Sequence, residues 1–348
     1  MVDLLSGKFI SKKFESATKA FYSSVVGEKY IDFLIVTVSS YKKHNDMPID
    51  WIVICKDEDD VKHIKSVTEF LTDDTVRMIY ITMPIVPKEV DYDLYVRHNS
   101  SIFVSHISRE LFCKRMYIAD VLKNKYDLII SVDTDILFIG NIKEVVKDFF
   151  NSNYAVGGAS ESFDIKTIEF KQQVTDPKYL CIKKNINFGF GMLNTKLLRD
   201  DNYLHFLNIS KDKEDWFCFH DQSYFAYEYQ NSIKIYNHLQ IHAYQIIANN
   251  GRRLAGKYKM IHFSKDKYLY ESMEAFNCNE YADDLYLVTT LYFKTYALFA
   301  LTCNISNKFR KTLEENLAIY CKKVTPSIYK SIQFNLNEWR QNHHNNKI

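Results

Sequence analysis

Short apolar runs alternate with amphipathic stretches along the first part of the chain. Residues 20–26 (AFYSSVV) read as a strand, and Gly27-Glu28-Lys29-Tyr30 as the turn that follows. A helical period then runs through Phe33, Leu34, Val36, Thr37 and Tyr41, ending near Asn45 and Pro48. Residues 51–55 (WIVIC) make a second buried strand, and the acidic stretch 57–60 suits the positive end of a helix that continues over 61–70. A third strand follows at 76–82 (VRMIYIT). This order predicts an α/β protein with a Rossmann-like, mostly parallel central sheet flanked by helices.

The pattern loosens afterwards. Residues 83–101 read as an excursion, and an amphipathic helix returns over 102–122, carrying Arg109 and Arg115. Residues 141–150 are helical, and 154–159 (YAVGGA) form a short strand with glycine where chains approach closely. The polar stretch 163–184 reads as a loop over a site. Within 185–194 (NINFGFGMLN), Gly189 and Gly191 interrupt an apolar run, which marks a bulge or a ligand against backbone. Helices are expected over 197–206 and 216–229, with Asp221-Gln222 early in the second, and short strands at 233–236 and 258–263. The chain divides into a leader (1–17), an α/β body (18–268) and a mainly helical extension (269–348), whose polar tail after Trp339 frays.

Residues 126–140 (YDLIISVDTDILFIG) stand apart. A buried central strand, 128–132, runs into Asp133 and Asp135 and the chain then turns apolar again. In extended chain, residues i and i+2 point the same way, so both carboxylates face one spot. That spot lies at the carboxyl end of a central strand, where open α/β sheets bind ligands. Neighbouring carboxylates repel unless a cation joins them, and hard divalent ions take oxygen ligands. The pair predicts a metal–diphosphate site; an ordinary turn or helix cap is the alternative.

Composition narrows the class. Of 348 residues, 47% are apolar and 25% charged, as in a globular protein with one large domain and an appendage. A net charge of +2 provides no basic face for nucleic acid. Seven cysteines without a C-x-x-C pair suit a reducing compartment rather than a disulfide framework or zinc site. The first residues lack a signal peptide's apolar core, so a cytoplasmic, unsecreted protein is expected, and Asn99, Asn208 and Asn304 in Asn-x-Ser carry no glycan. The apolar stretch 286–303 contains Lys294 and reads as a buried or membrane-surface helix rather than a span.

Four motifs follow one another in order. An Arg-bearing helix (Arg115) leads to Asp133-Thr134-Asp135; Asn187-Phe188-Gly189 runs on to Asn194; Asp221-Gln222 follows; and Ile261-His262-Phe263 precedes Lys265 and Lys267. In these motifs, over about residues 18–268, the chain resembles the family 8 glycosyltransferases, the lipopolysaccharide galactosyl/glucosyltransferase and glycogenin group of the GT-A fold. The opening strand, turn and helix, with Val25 and Tyr30, match that family's nucleotide-binding start. The chain departs from the family pattern at Ser131-Val132, at Gly27 and Lys29, and in HFSKDKYLY, which lacks the family's Gly, Pro and Trp.

The resemblance implies a metal-dependent, retaining transferase. It would move a hexose from a UDP-sugar, UDP-glucose or UDP-galactose, to a glycan, lipid-linked or protein acceptor. A catalytically silent sugar-nucleotide or glycan-binding protein of the same fold is the alternative. A hydrolase using Asp133 and Asp135 as acid and base ranks below both, because two carboxylates one residue apart on a strand are closer than the separations glycosidases use. Asp133, Asp135 and His262 would hold the ion, with imidazole favouring Mn²⁺ over Mg²⁺; a core histidine is the other reading of His262. Arg115 would hold a carboxylate or the donor sugar, and Lys265 and Lys267 the phosphates, unless these are solvated charges. Asn187 and Asn194 would orient sugar hydroxyls, Gly189 would leave room for the sugar, and Thr134 would line the nucleotide site; Asn194 also suits a helix cap. Asp221, with Gln222, is the carboxylate expected near the anomeric carbon, or simply a partner of the helix dipole. Tyr30 stacks on the base or packs. Peripheral membrane contact would use the C-terminal helices.

Overall fold

The computed structural model describes residues 13–25, 28–82, 115–160, 186–212, 220–236, 259–263 and 293–323. The expected excursion at 83–101, the loop at 163–184, Lys265, Lys267 and the tail after Trp339 lie outside these residues.

The chain begins with β1 (Lys19–Ser24), α1 (Glu28–His44), β2 (Ile49–Cys55), α2 (Glu58–Thr68) and β3 (Val76–Thr82). Each strand is short and apolar, and each helix returns the chain so that the next strand pairs in parallel. Asp57 starts α2 as its cap, its carboxylate accepting from the N–H groups of Asp59 and Asp60 at 3.1 and 2.9 Å. After helical residues 115–122 (α3) come β4 (Leu128–Val132), β5 (Ile136–Phe138), α4 (Lys143–Phe150), β6 (Val156–Ser160) and β7 (Ile186–Asn194). The rest comprises α5 (Asn202–Asp212), α6 (His220–Glu228), β8 (Ile233–Tyr236), β9 (Met260–His262), helical residues 293–300 (α7) and α8 (Asn307–Lys323).

Seven strands form one sheet in the order β3-β2-β1-β4-β7-β6-β8, and β5 and β9 form a separate antiparallel pair. β7 alone runs against its neighbours β4 and β6. The sheet is covered on both faces. Phe21, Ile130 and Val132 face a core built with α1, α4, α7 and α8, whereas Tyr22 and Ile129 face one built with α3, α5 and α6. α1 is accordingly covered along most of its length, and its Phe33 meets Tyr296 of α7 and Phe309 of α8 edge-on at 6.1 and 5.5 Å. Asp32 adds a polar tie, accepting from both the N–H and the hydroxyl of Ser306 at 2.6 Å.

Two expectations change. A helix over 197–206 is replaced by a 3₁₀ turn at Thr195–Leu197 and by α5 starting at Asn202. The cap comes from α3, where the Asp120 carboxylate accepts from the N–H groups of Asn202 (3.2 Å) and Tyr203 (2.8 Å). The stretch expected as a buried or membrane-surface helix is buried along one face where described: Phe293, Tyr296, Ala297 and Ala300 belong to the core, while Leu298 is exposed. Among the described residues, no helix is long and apolar enough to cross a membrane.

Candidate active site

The site grows from the point where the chain leaves the large sheet. β4 ends at Val132 and β5 begins at Ile136, so Asp133-Thr134-Asp135 lies in a turn, with the Ile136 N–H donating to the Asp133 carbonyl at 3.3 Å. The two carboxylates therefore meet through a turn and not through strand alternation. A polar pair between two short apolar runs marks a change of sheet as readily as one continuous strand.

β9 supplies the third side chain. Its pairing with β5 sets His262 opposite Ile136, and the Phe263 N–H donates to the Asp135 carbonyl at 3.0 Å. The His262 Nε2 then stands 3.2 Å from Asp135 Oδ1 and 3.4 Å from Asp133 Oδ2. One ligand atom from each of the three residues lies within 4.8 Å of the others, a span that one divalent ion can bridge. Burial works against a charged imidazole, but the Asp135 and Asp133 carboxylates outweigh it and raise the ring to about 10.

β7 closes the site from behind. Its register with β6 shifts between Gly158, opposite Gly191, and Ala159, opposite Asn187, so residues 188–190 bulge. The bulge brings the Gly189 carbonyl to the Asp133 N–H at 2.8 Å. A Cβ at Gly189 would lie 2.2 Å from His262 Cε1 and 2.9 Å from Asn187 Oδ1. The space that a side chain at Gly189 would fill is bordered by the His262 imidazole and the Asn187 side chain. Asn187 bonds to its own strand, with Oδ1 accepting from the Gly189 N–H at 3.1 Å.

Arg115 and Asp221 complete the buried charge. Arg115 pairs with Asp133 and stands 3.6 Å from Asp221 on α6, so one guanidinium serves two carboxylates. Burial opposes ionisation of Asp133, but Arg115 and His262 prevail and hold it far below the usual carboxylate range. Asp221 goes the other way, pushed up to about 7 by burial and by Asp133 despite the pull of Arg115. Gln222 accepts from the Phe188 N–H at 3.2 Å and props the bulge.

Residues 23–268 match the model of glycosyl transferase family 8. The chain belongs to that family. It is accordingly a glycosyltransferase of the GT-A fold, which the solved structures repeat. The galactosyltransferase LgtC, in complex with donor and acceptor sugar analogs, is 11% identical with a TM-score of 0.51, over 85% of this chain and 100% of that one. Mouse xyloside xylosyltransferase 1 in its apo form is 15% identical with a TM-score of 0.51, over 76% of this chain and 99% of that one. The bifunctional glycosyltransferase WbbM is 12% identical with a TM-score of 0.52, over 90% of this chain and 53% of that one. No curated protein matches the chain in sequence.

Within this family 8 glycosyltransferase, the structure unites Arg115, Asp133, Asp135, Asn187, Gly189, Asp221, Gln222 and His262. Asn194 is not among them. It pairs with Leu128 at the opposite end of β4 from Asp133, and its side chain makes no cap bond to the 3₁₀ turn that follows. Both expected roles fail because register, not proximity in sequence, sets its place. Val25 is fully buried, its N–H donating to the Ile54 carbonyl, so the core takes its side chain. Tyr30 is half-buried and edge-on to Phe33 at 6.3 Å. Thr134 is buried, and its carbonyl accepts from the Thr37 hydroxyl of α1 at 2.5 Å. Thr37 escaped the sequence reading, where it passed as one position of the helical period; a hydroxyl on an otherwise apolar face was the available signal.

Proposed function

We propose that this glycosyltransferase moves a hexose from a UDP-sugar, UDP-glucose or UDP-galactose, to a hydroxyl of a glycan, lipid-linked sugar or protein, with retention of configuration. In this reading Asp133, Asp135 and His262 hold Mn²⁺, or Mg²⁺ in its place. The convergence of those three side chains at the end of a central strand carries the reading. Two carboxylates and an imidazole suit a transition ion, and the bulge at Gly189 admits the ring that completes the set. When bound, the ion supplies Lewis-acid neutralisation of the leaving diphosphate.

The protein's own groups do the rest. Arg115 keeps Asp133 ionised and in place. Asp221, Gln222 and Asn187 flank the donor sugar, with Asp221 nearest the anomeric carbon. Tyr30, Thr134, Lys265 and Lys267 belong to the nucleotide and its phosphates. The acceptor hydroxyl attacks from the side on which UDP leaves, which suits a site whose assets are positioning and fixed charge. That the LgtC structure holds donor and acceptor sugar analogs supports a two-substrate site. Residues 18–268 form the catalytic domain, and the helices after 269 are the place for acceptor or membrane-surface contacts at the cytoplasmic side.

A donor panel tests this. UDP or GDP release is measured from each sugar nucleotide with Mn²⁺ and with EDTA, and the product anomer is read by NMR. Turnover of one UDP-hexose that EDTA abolishes, with retention, is expected. Turnover indifferent to EDTA, or an inverted product, contradicts the proposal.

A further inference from the structure

β5 has three residues and, among the described residues, one strand partner, β9. Its groups on the other edge are buried and need partners. Side chains of α1, with Asn45 just beyond its end, supply partners along β5 and on to Ile142. The Ser40 hydroxyl accepts from the Phe138 N–H at 3.0 Å while donating to the Thr37 carbonyl at 2.8 Å, and Asn45 Oδ1 accepts from the Ile142 N–H at 2.8 Å. At the head of this row is Thr37. A helical threonine commonly turns its hydroxyl back to its own helix, but here its single proton is shared between the Thr134 and Ile136 carbonyls, whose oxygens lie 2.5 and 2.7 Å from the hydroxyl. Thr37 and Ser40 are fully buried, so water does not compete for these bonds.

Those two carbonyls bracket Asp135. The Asp135 carbonyl itself accepts from Phe263 N–H on β9. Asp135 is therefore pinned on one edge by β9 and on the other by a single side chain of α1. We propose that Thr37 is the positioning residue of the metal-binding turn, its hydroxyl holding the carbonyls of the residues before and after Asp135 and so aiming that carboxylate at the point where Asp133 and His262 converge. This rests on the metal reading given above. Thr37 touches neither ion nor sugar; it sets the geometry of a group that does. Residues that orient a metal ligand typically carry about ten- to a hundredfold in metal affinity.

The test is Mn²⁺ affinity of the full chain, read from the EPR signal of free Mn²⁺ with and without UDP. Thr37→Val keeps the shape and deletes the donor, and Thr37→Ser keeps the donor. We expect Thr37→Val to lose at least about tenfold in Mn²⁺ affinity and Thr37→Ser to stay within about threefold of wild type. Ser40→Ala, one turn along, should lower the melting temperature in EDTA while leaving Mn²⁺ affinity unchanged. Wild-type affinity in Thr37→Val overturns the proposal, as does an equal affinity loss in Ser40→Ala, which would mean general loosening. If Thr37→Val does not fold, Thr37→Cys, a weak donor, should show the same direction, and unchanged affinity there is equally fatal. Asp135→Ala separates the two readings. If it binds Mn²⁺ like wild type, the metal centre itself is wrong, whereas loss in Asp135→Ala beside an unaffected Thr37→Val removes only the role of Thr37.

Discussion

Gly189 and His262 occupy adjoining space so tightly that a methyl group on the glycine would stand 2.2 Å from the Cε1 of the ring. The β7 bulge and the last residue of β9 are thus fitted to each other, although residue 189 belongs to the large sheet and residue 262 to the small one.

Gly189→Ala therefore acts on His262, the metal ligand we propose, before it acts on the fold. The imidazole must shift by more than a few tenths of an ångström, because Asn187 Oδ1 closes the other side at 2.9 Å. Overpacking of this kind costs about 1–3 kcal/mol. We expect a folded protein with a lower melting temperature and a Mn²⁺ affinity reduced at least about tenfold, read by EPR titration. Wild-type metal affinity would show that the ring is not a ligand in the position described.

In the proposed centre, proton and metal compete for His262. The ring is raised from its ordinary 6.5 to about 10 by Asp135 and Asp133, against the effect of burial. Its stabilising ion pairs are fully present below pH 6.5 and are lost as pH rises through about 10, so metal-free thermal stability should decline across that window. A metal ligand must be neutral, so Mn²⁺ affinity should move the opposite way, rising about tenfold per pH unit between pH 7 and 9. Calorimetry in buffers of different ionisation enthalpy should register about one proton released per ion at pH 8. Release of none contradicts the assignment of His262.

Arg115 sits between Asp133 and Asp221, and its loss leaves two carboxylates without their shared cation. Arg115→Leu should cost about 3–5 kcal/mol of stability near pH 8, where both are pressed to ionise. Asp221, already pushed up to about 7, rises further without the guanidinium, so it becomes neutral readily as the pH falls. The gap to wild type should narrow between pH 8 and pH 5.5, measured by thermal unfolding in EDTA. A gap independent of pH would mean that Arg115 contributes packing rather than charge.

The strands of the first half were legible because each is a short apolar run bounded by polar residues; 76–82 holds to the residue, as does 128–132. The convergence of the Asp133 and Asp135 carboxylates was legible but its geometry was misread, since nothing local separates a turn between two buried strands from one extended strand. Asn194 was misplaced because antiparallel pairing with Leu128 sends it to the far end of β4, and pairing is not written in the spacing of the motif. The start of α5 was hidden for a similar reason: its capping carboxylate, Asp120, lies 82 residues earlier. His262 could be named from sequence, but the need for Gly189 beside it appears only when two sheets meet.

The most direct measurement is UDP release from the preferred donor by wild type, Asp135→Ala and His262→Ala, each with Mn²⁺ and with EDTA. Turnover is expected in wild type with Mn²⁺, with both variants folded by circular dichroism and reduced at least about a hundredfold. Turnover by folded Asp135→Ala at the wild-type rate, or by wild type in EDTA, would contradict it.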